Sequence, residues 1–506
     1  MRAVVPVLAA LVLVAGVTPG CVREASGEDS GSPLGEWWGG FGLMDGDRVH
    51  WTHFTADLKA DGSRITGQGV YIAGPDPSSL QDKTVEISGR IEQGRLRLRL
   101  AYGGKHVECD AHHDTQQAEG TCRAGGETMT LRLVRVEPLG TADVAAMRGV
   151  YEVEPGHRIL IGNVGPVPTM VDLRSGTFRM LFHTGADEWS AGPRVLVGTP
   201  VEWRLKFDDA TLSIRREGGP PVEAKLRPRP TEEEFSFDSE QDGITLRGTL
   251  TLPAGPGPHP AIVFVHGSGK TPRSEAMFFP QYLSDLGFAV LAYDKRGAGE
   301  SGGSYAMPDG STFNVAFLRR RGADVVSGMN ALRRHPAIDG KRVGLFGISQ
   351  AGWVMPVAAS STDCSFTISL AGGATRLEVE QLYSELTDEL RSDASLPSVE
   401  DSLAKVRARP VLGYDWGADF ATQRCPGLWI YGLRDRINPS QLSVEVLERV
   451  KAEHKKDFTI VQFPRGNHPL MEARLGGKDE FLVLTGFVPE LFTTIETWLV
   501  DNDLMP

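Results

Sequence analysis

Cysteine is scarce, with five in 506 residues. That is too few for a disulfide-built scaffold. The group His106, Cys109, His112, His113 and Cys122 matches no zinc spacing, so no metal site is expected. A basic excess is also missing. Lys and Arg number 53 against 65 Asp and Glu, a formal net charge of -12. Nucleic acid normally demands a basic face and is excluded as the main partner. Helical periodicity is almost absent before residue 231, apart from Thr141–Met147. No blade-like repeat is present either, which excludes a full propeller. Histidine is sparse, with 12 in the chain, so candidates for a catalytic base are few.

What the chain does contain begins with MRAVVPVLAALVLVAGVTPGC. One Arg, an apolar run and small residues make a secretory signal peptide over residues 1–21, too short and weakly flanked for a retained span. Cys21 follows a small residue, as in a bacterial lipoprotein signal whose exported thiol is lipidated. Thr18 departs from the Leu or Val usual three positions before it. The expectation is an envelope lipoprotein held at the membrane through Cys21, or a secreted protein if that thiol stays free. Residues 22–34 are polar and read as a tether. In an exported chain the other cysteines are free to pair. Cys109 with Cys122 would close a hairpin, and Cys364 with Cys425 stand at the starts of two strands; spacing alone does not decide either bridge.

Residues 35–140 alternate apolar and polar in short runs such as VEISGRI and LRLRL, separated by Gly and Asp turns. Period-2 runs without helix predict a sandwich or small barrel. Trp37 and Trp38 are expected at its core or end. Residues 141–230 carry a second β-rich segment, either its own barrel or a continuation of the first. Neither segment groups residues that suggest chemistry, so both read as accessory modules.

From residue 231 the pattern changes. A hairpin around Gln241-Asp242-Gly243 precedes apolar strands at Ala261–His266, Ala289–Tyr293, Val343–Phe346, Phe366–Ala371, Leu428–Tyr431 and Thr459–Phe463. Helical stretches at Phe278–Leu286, Ala323–Leu332 and Phe487–Val500 separate or follow them. The class is α/β, with a mostly parallel sheet covered on both faces. Between 376 and 424 an insertion carries two helical patterns, Leu377, Leu382, Leu386, Leu390 and then Val399, Leu403, Val406. Placed over the strand ends, it predicts a helical lid.

The stretch GLFGISQAG puts Ser349 on a strand-to-helix turn between Gly347 and Ala351. Small flanks allow the sharp turn that lifts Oγ toward N–H groups at a helix start. Of the five histidines after residue 231, His468 follows the last strand in GNHP and can reach the carboxyl edge of the sheet. Asp435 follows the preceding strand in GLRD. Nucleophile, acid and base then run in the order Ser, Asp, His. Asp294 and Arg296 in YDKRGAGES read as a structural ion pair.

Together HGSG (266–269), YDKRGAGESGG (293–303), GISQAG (347–352), GLRD (432–435) and GNH (466–468) make residues 231–506 resemble an α/β-hydrolase domain, in particular bacterial acyl-ester hydrolases with an N-terminal extension. The resemblance implies Ser349 as nucleophile, His468 as base and then acid, and Asp435 as orienter. It implies an oxyanion hole from the N–H of Gln350 and one of Ser268 or Gly267. Ala351 departs from the usual second glycine. The expected function is an exported serine hydrolase that cleaves small-molecule carboxylic esters through an acyl-enzyme, with no cofactor. A prolyl-peptidase-like enzyme, an acyl thioesterase, and a surface binding protein with a vestigial hydrolase domain are the alternatives.

Overall fold

In the computed structural model the described residues are 35–506 except 46–47, 73–83, 103, 115–116, 137–140, 165–166, 186–187, 196–200, 388–396, 478–479 and 481–483. The expected signal peptide, Cys21 and the expected tether lie outside them.

Eight antiparallel strands, from Gly35–Asp45 to Glu127–Val136, close into a barrel because the first strand pairs with both the second and the eighth. Alternation sends Val85, Ile87, Leu96, Leu98 and Leu100 inward and Glu86, Arg97 and Arg99 outward. Trp37 fills this interior with aliphatic neighbours. The barrel coils tightly, so a Cβ on Gly89 would stand 2.0 Å from Arg97 O. Cys109 and Cys122 are register partners on adjacent strands and are disulfide-bonded.

After the helix Thr141–Met147, nine strands between Gly149 and Leu226 form a separate antiparallel sheet. Its two edge strands, Phe178–Met180 and Phe182–Gly185, are consecutive stretches of one segment. The sheet therefore curls back on itself, around Ile161, Met170, Trp189, Leu205 and Ile214. The second β segment is thus not a continuation of the first barrel.

This second sheet packs against the C-terminal half. Arg158 donates to Asp285 at 2.7 Å and to Glu496 at 2.6 Å. Residues 484–487 run along the sheet as an extra edge: Val195 N donates to Leu484 O, Phe178 N to Thr485 O, and Phe487 N to Gly176 O. Buried Arg179 donates to Gly192 O, Phe178 O and Thr485 O. The last helix consequently starts at Leu491, not Phe487, because the preceding residues are committed to backbone pairing. The same strap reaches the loop of His468 through Val488 N to Leu470 O at 2.9 Å and a bridge between Met471 and Phe487. Arg179→Met would remove a donor shared by three carbonyls, of which Thr485 O keeps the Phe178 N–H. It is expected to lower stability by about 3 kcal/mol, read as a shifted urea midpoint of the full chain.

The C-terminal sheet has eight strands in the order Thr231–Asp238, Thr245–Leu252, Ala289–Tyr293, His259–Val265, Ile338–Ile348, Thr367–Leu370, Gly427–Gly432, Phe458–Phe463. The second strand runs antiparallel to both of its neighbours, and all other neighbouring pairs are parallel. Successive residues of one strand feed opposite cores. Ile262 and Phe264 meet the helices Phe279–Asp285 and Leu491–Asp501, whereas Val263 and Val265 meet Val315–Arg333 and Ala351–Ser361. That two-sided burial explains the unbroken apolar runs. Val315–Arg333 begins eight residues before the helix expected at 323, because Asn314 caps Phe317 N–H at 2.8 Å and Arg321 is buried against the rule for its type.

Cys364 and Cys425 do precede parallel neighbouring strands, as expected, but both are free thiols. The bridge left open by the sequence is thus not formed: Cys364 Sγ donates to Phe366 O at 3.1 Å, and burial, then the contact with Cys425, raises its pKa. The expected Asp294–Arg296 pair is corrected. Asp294 accepts from Arg273 N at 2.6 Å and Glu300 N at 2.9 Å, while Arg296 forks onto Asp324 and reaches Asp242 at 2.8 Å.

The insertion forms the helices Leu377–Thr387 and Val399–Arg407, which pack on each other through Tyr383, Val399, Leu403 and Val406. Leu390 lies outside the described residues. Trp416 is fully buried in the core, and Tyr414 bonds Asp419 at 2.7 Å.

Candidate active site

The strand Ile338–Ile348 ends directly at Ser349, and the helix Ala351–Ser361 begins two residues later. Ser349 has φ 59°, a left-handed conformation that a serine adopts only where its surroundings impose it. The imposing contacts are visible. A Cβ on Gly347 would lie 2.5 Å from the Ala351 Cβ, and one on Gly352 would lie 2.5 Å from the Gly372–Gly373 peptide. Ala351 is therefore accommodated because Gly347 faces it. Gly352→Ala presses on backbone that cannot yield cheaply. It is expected to cost about 3 kcal/mol, read as a fall in thermal midpoint.

His468 follows the last sheet strand, and Asp435 the one before. His468 Nε2 is 3.0 Å from Ser349 Oγ, and His468 Nδ1 is 2.8 Å from Asp435 Oδ2. The other carboxylate oxygen, Oδ1, accepts the N–H groups of Ile437 at 2.8 Å and Asn438 at 2.9 Å. Asp435 and His468 are 1% and 4% exposed, so carboxylate and imidazole meet in a poorly screened environment. Tyr383 on the inserted helix donates to Asp435 O at 2.7 Å, and Thr387 to Arg436 O at 2.6 Å. The insertion is thus fastened to the turn that carries the carboxylate.

The loop after the strand His259–Val265 lies against the serine. A Cβ on Gly267 would be 3.3 Å from Ser349 Cβ and 3.8 Å from its Oγ. Neither the Gln350 N–H nor the Ser268 N–H has a hydrogen-bond partner among the described residues. All six residues expected at the site from sequence, Ser349, His468, Asp435, Gln350, Ser268 and Gly267, therefore meet at one edge of the sheet. Three that the sequence did not single out join them: Tyr383, Lys295 and Arg321. Lys295 and Arg321 reach the carbonyls of the same loop. Nothing in the sequence sets the two cations apart: Lys295 stands between Asp294 and Arg296, and Arg321 closes a run of three arginines.

A sequence model described as the Alpha/beta hydrolase family matches residues 262–475. The C-terminal half belongs to the α/β-hydrolase superfamily. Among curated relatives, this α/β-hydrolase domain is 27% identical over 228 residues to the 2,6-dihydropseudooxynicotine hydrolase of Paenarthrobacter nicotinovorans, covering 45% of this chain and 57% of that one. It is 26% identical over 256 residues to the esterase EstD of Thermotoga maritima, covering 46% and 58%. The chain thus spans less than three-fifths of either relative. Among solved structures, an esterase of Pyrococcus furiosus aligns with a TM-score of 0.37 at 18% identity, over 54% of this chain and 90% of that one.

His266 opens the HGSG loop of the hydrolase domain. It is buried, and its Nε2 contacts Tyr293 O at 3.0 Å, so the neutral ring donates there. Burial, then the charges of Lys295 and Arg321, hold its pKa well below the ordinary value. Unfolded, the ring would take a proton near pH 6.5; folded, it resists until lower pH. The unfolded state then binds more protons in that window. Stability is expected to be full above about pH 6.5 and to fall as pH drops below it, with a slope of up to about 1.4 kcal/mol per pH unit. Urea unfolding across pH 7.5 to 5 checks this, and His266→Gln should flatten that part of the curve.

Proposed function

We propose that this protein is an exported serine hydrolase that cleaves carboxylic esters through an acyl-enzyme. The observation that carries the reading is the continuous hydrogen-bond chain from Ser349 Oγ through His468 to Asp435, on a serine held at positive φ. His468 Nε2 takes the Oγ proton as Oγ attacks the ester carbonyl carbon. The tetrahedral oxygen meets the unpartnered N–H groups of Gln350 and Ser268. The imidazolium then protonates the leaving alkoxide, and the C–O bond breaks to give the alcohol and Ser349 acyl ester. A water, deprotonated by His468, attacks that ester; its collapse releases the acid and restores Oγ–H. Asp435 stays ionised and keeps Nδ1 protonated.

Export and tethering through Cys21 belong to the same proposal and rest on the N-terminal sequence. The helical insertion, bound to the Asp435 turn, is read as the wall that shapes the substrate pocket. The test is turnover of p-nitrophenyl esters from acetate to laurate, beside an acyl thioester and a proline p-nitroanilide. Ester cleavage with a chain-length optimum supports the reading. Amide cleavage without ester preference would make the protein a peptidase, and thioester preference a thioesterase.

A further inference from the structure

Two buried cations stand behind the loop that faces Ser349. Lys295 Nζ donates to Gly267 O at 2.5 Å, Gly269 O at 2.6 Å and Ser268 O at 3.3 Å. Arg321 donates from Nη2 to His266 O at 2.7 Å, and from Nη1 to Gly267 O at 3.2 Å and to Gln350 Oε1. Lys295 is 2% exposed and Arg321 3%. Among the described residues, neither has a carboxylate within ion-pair distance. Burial, then the neighbouring Arg321, holds the Lys295 pKa well below its ordinary value, and the carbonyl dipoles together with the Tyr305 ring, 5.6 Å from Nζ, are the compensation for its charge. An ammonium has three N–H groups, and three successive carbonyls receive them.

The geometry has a consequence for the opposite side of the loop. A trans peptide holds its C=O and N–H pointing in opposite directions. Gly267 O is turned onto both cations, so the Ser268 N–H of the same peptide is turned away from them. Ser349 lies against this loop at Gly267. The tether from Arg321 to the Gln350 side chain joins the second donor-bearing residue to the same support.

We propose that Lys295 and Arg321 are positioning residues of the oxyanion hole. They hold the carbonyl side of His266–Gly269 so that the Ser268 N–H, together with that of Gln350, is aimed at the tetrahedral oxygen. Their two positive charges lie behind those dipoles and favour the developing anion. This rests on the serine-hydrolase reading. It also assigns the hole to Ser268 over Gly267, whose own N–H is backed by one cation only.

The test uses the full chain carrying Lys295→Met, Arg321→Met or Arg321→Lys, with wild type and Ser349→Ala alongside. Three quantities are read: kcat and KM for a p-nitrophenyl ester, and the Ki of an aryl trifluoromethyl ketone, whose hemiketal oxygen occupies the hole. Each methionine variant should lose about 10²-fold in kcat with KM within about threefold. Ketone affinity should fall by the same factor as kcat/KM. Arg321→Lys should recover part of both. If a methionine variant fails to fold, Lys295→Arg serves in its place, because its planar fork cannot meet three convergent carbonyls from one atom. It should show the same paired loss. Unchanged kcat, or a loss of kcat without a matching loss of ketone affinity, would overturn the proposal. Absence of Ser349-dependent turnover in wild type would instead defeat the underlying reading.

Discussion

Ser349→Ala and His468→Ala are each expected to lower kcat for a p-nitrophenyl ester by about 10⁶-fold, and the double variant to be no slower than either single one. The reason is the shared hydrogen bond of 3.0 Å between Oγ and Nε2. Without Oγ there is no attacking atom, and His468 has no proton to receive. Without the imidazole the serine keeps its proton at neutral pH and is a poor nucleophile. Either deletion removes the same step, so the losses do not add. What remains over the uncatalysed rate comes from the N–H donors and substrate binding. Single-variant and double-variant rates measured on one substrate check this directly. Losses that multiplied would mean the two side chains act in separate steps.

Asp435→Asn is expected to cost about 10⁴-fold in kcat while the fold survives. The Oδ1 side accepts two backbone N–H groups, from Ile437 and Asn438. An asparagine must therefore keep its carbonyl oxygen there and present its NH2 to His468. That NH2 forces Nδ1 to accept, which moves the ring proton to Nε2. The ring then points a donor at Ser349 and cannot take its proton. The lost negative charge also removes support for the imidazolium, in a site where both groups are buried. Thermal unfolding of Asp435→Asn should stay near wild type while kcat collapses. A variant of near-normal activity would mean that Asp435 is not what orients His468.

The site was more legible in sequence than its surroundings. Ser349, Asp435 and His468 each follow a strand of the parallel sheet, and short apolar runs at the right order place all three on one edge. Gly347 and Gly352 advertise the tight turn because no other residue fits against Ala351 and the Gly372–Gly373 peptide. Lys295 and Arg321 were hidden for the opposite reason. Charged residues in sequence ordinarily mean solvent, and only coordinates reveal carbonyls gathered around them. The start of Val315–Arg333 was masked by the same effect, since Arg321 occupies a core-facing position. In the N-terminal half, alternation identified strands but not their closure. Closure depends on Gly35–Asp45 pairing with Glu127–Val136, a contact of long sequence separation. The sequence places Phe487 in the last helix because an apolar residue suits either state, and the partner that decides the matter lies some 300 residues earlier, at Gly176. The Cys364–Cys425 pair shows that strand register can bring two cysteines together without forming a bond.

The proposed mechanism makes Ser349 the nucleophile, activated by His468. It is tested most directly by treating the full chain with a fluorophosphonate and locating the adduct by peptide mass mapping. One phosphonyl group per chain is expected, on Ser349, formed in step with loss of ester turnover. Ser349→Ala should take no label, and labelling of His468→Ala should be strongly slowed. An adduct on a different residue, or ester turnover that continues with Ser349 fully labelled, would contradict it.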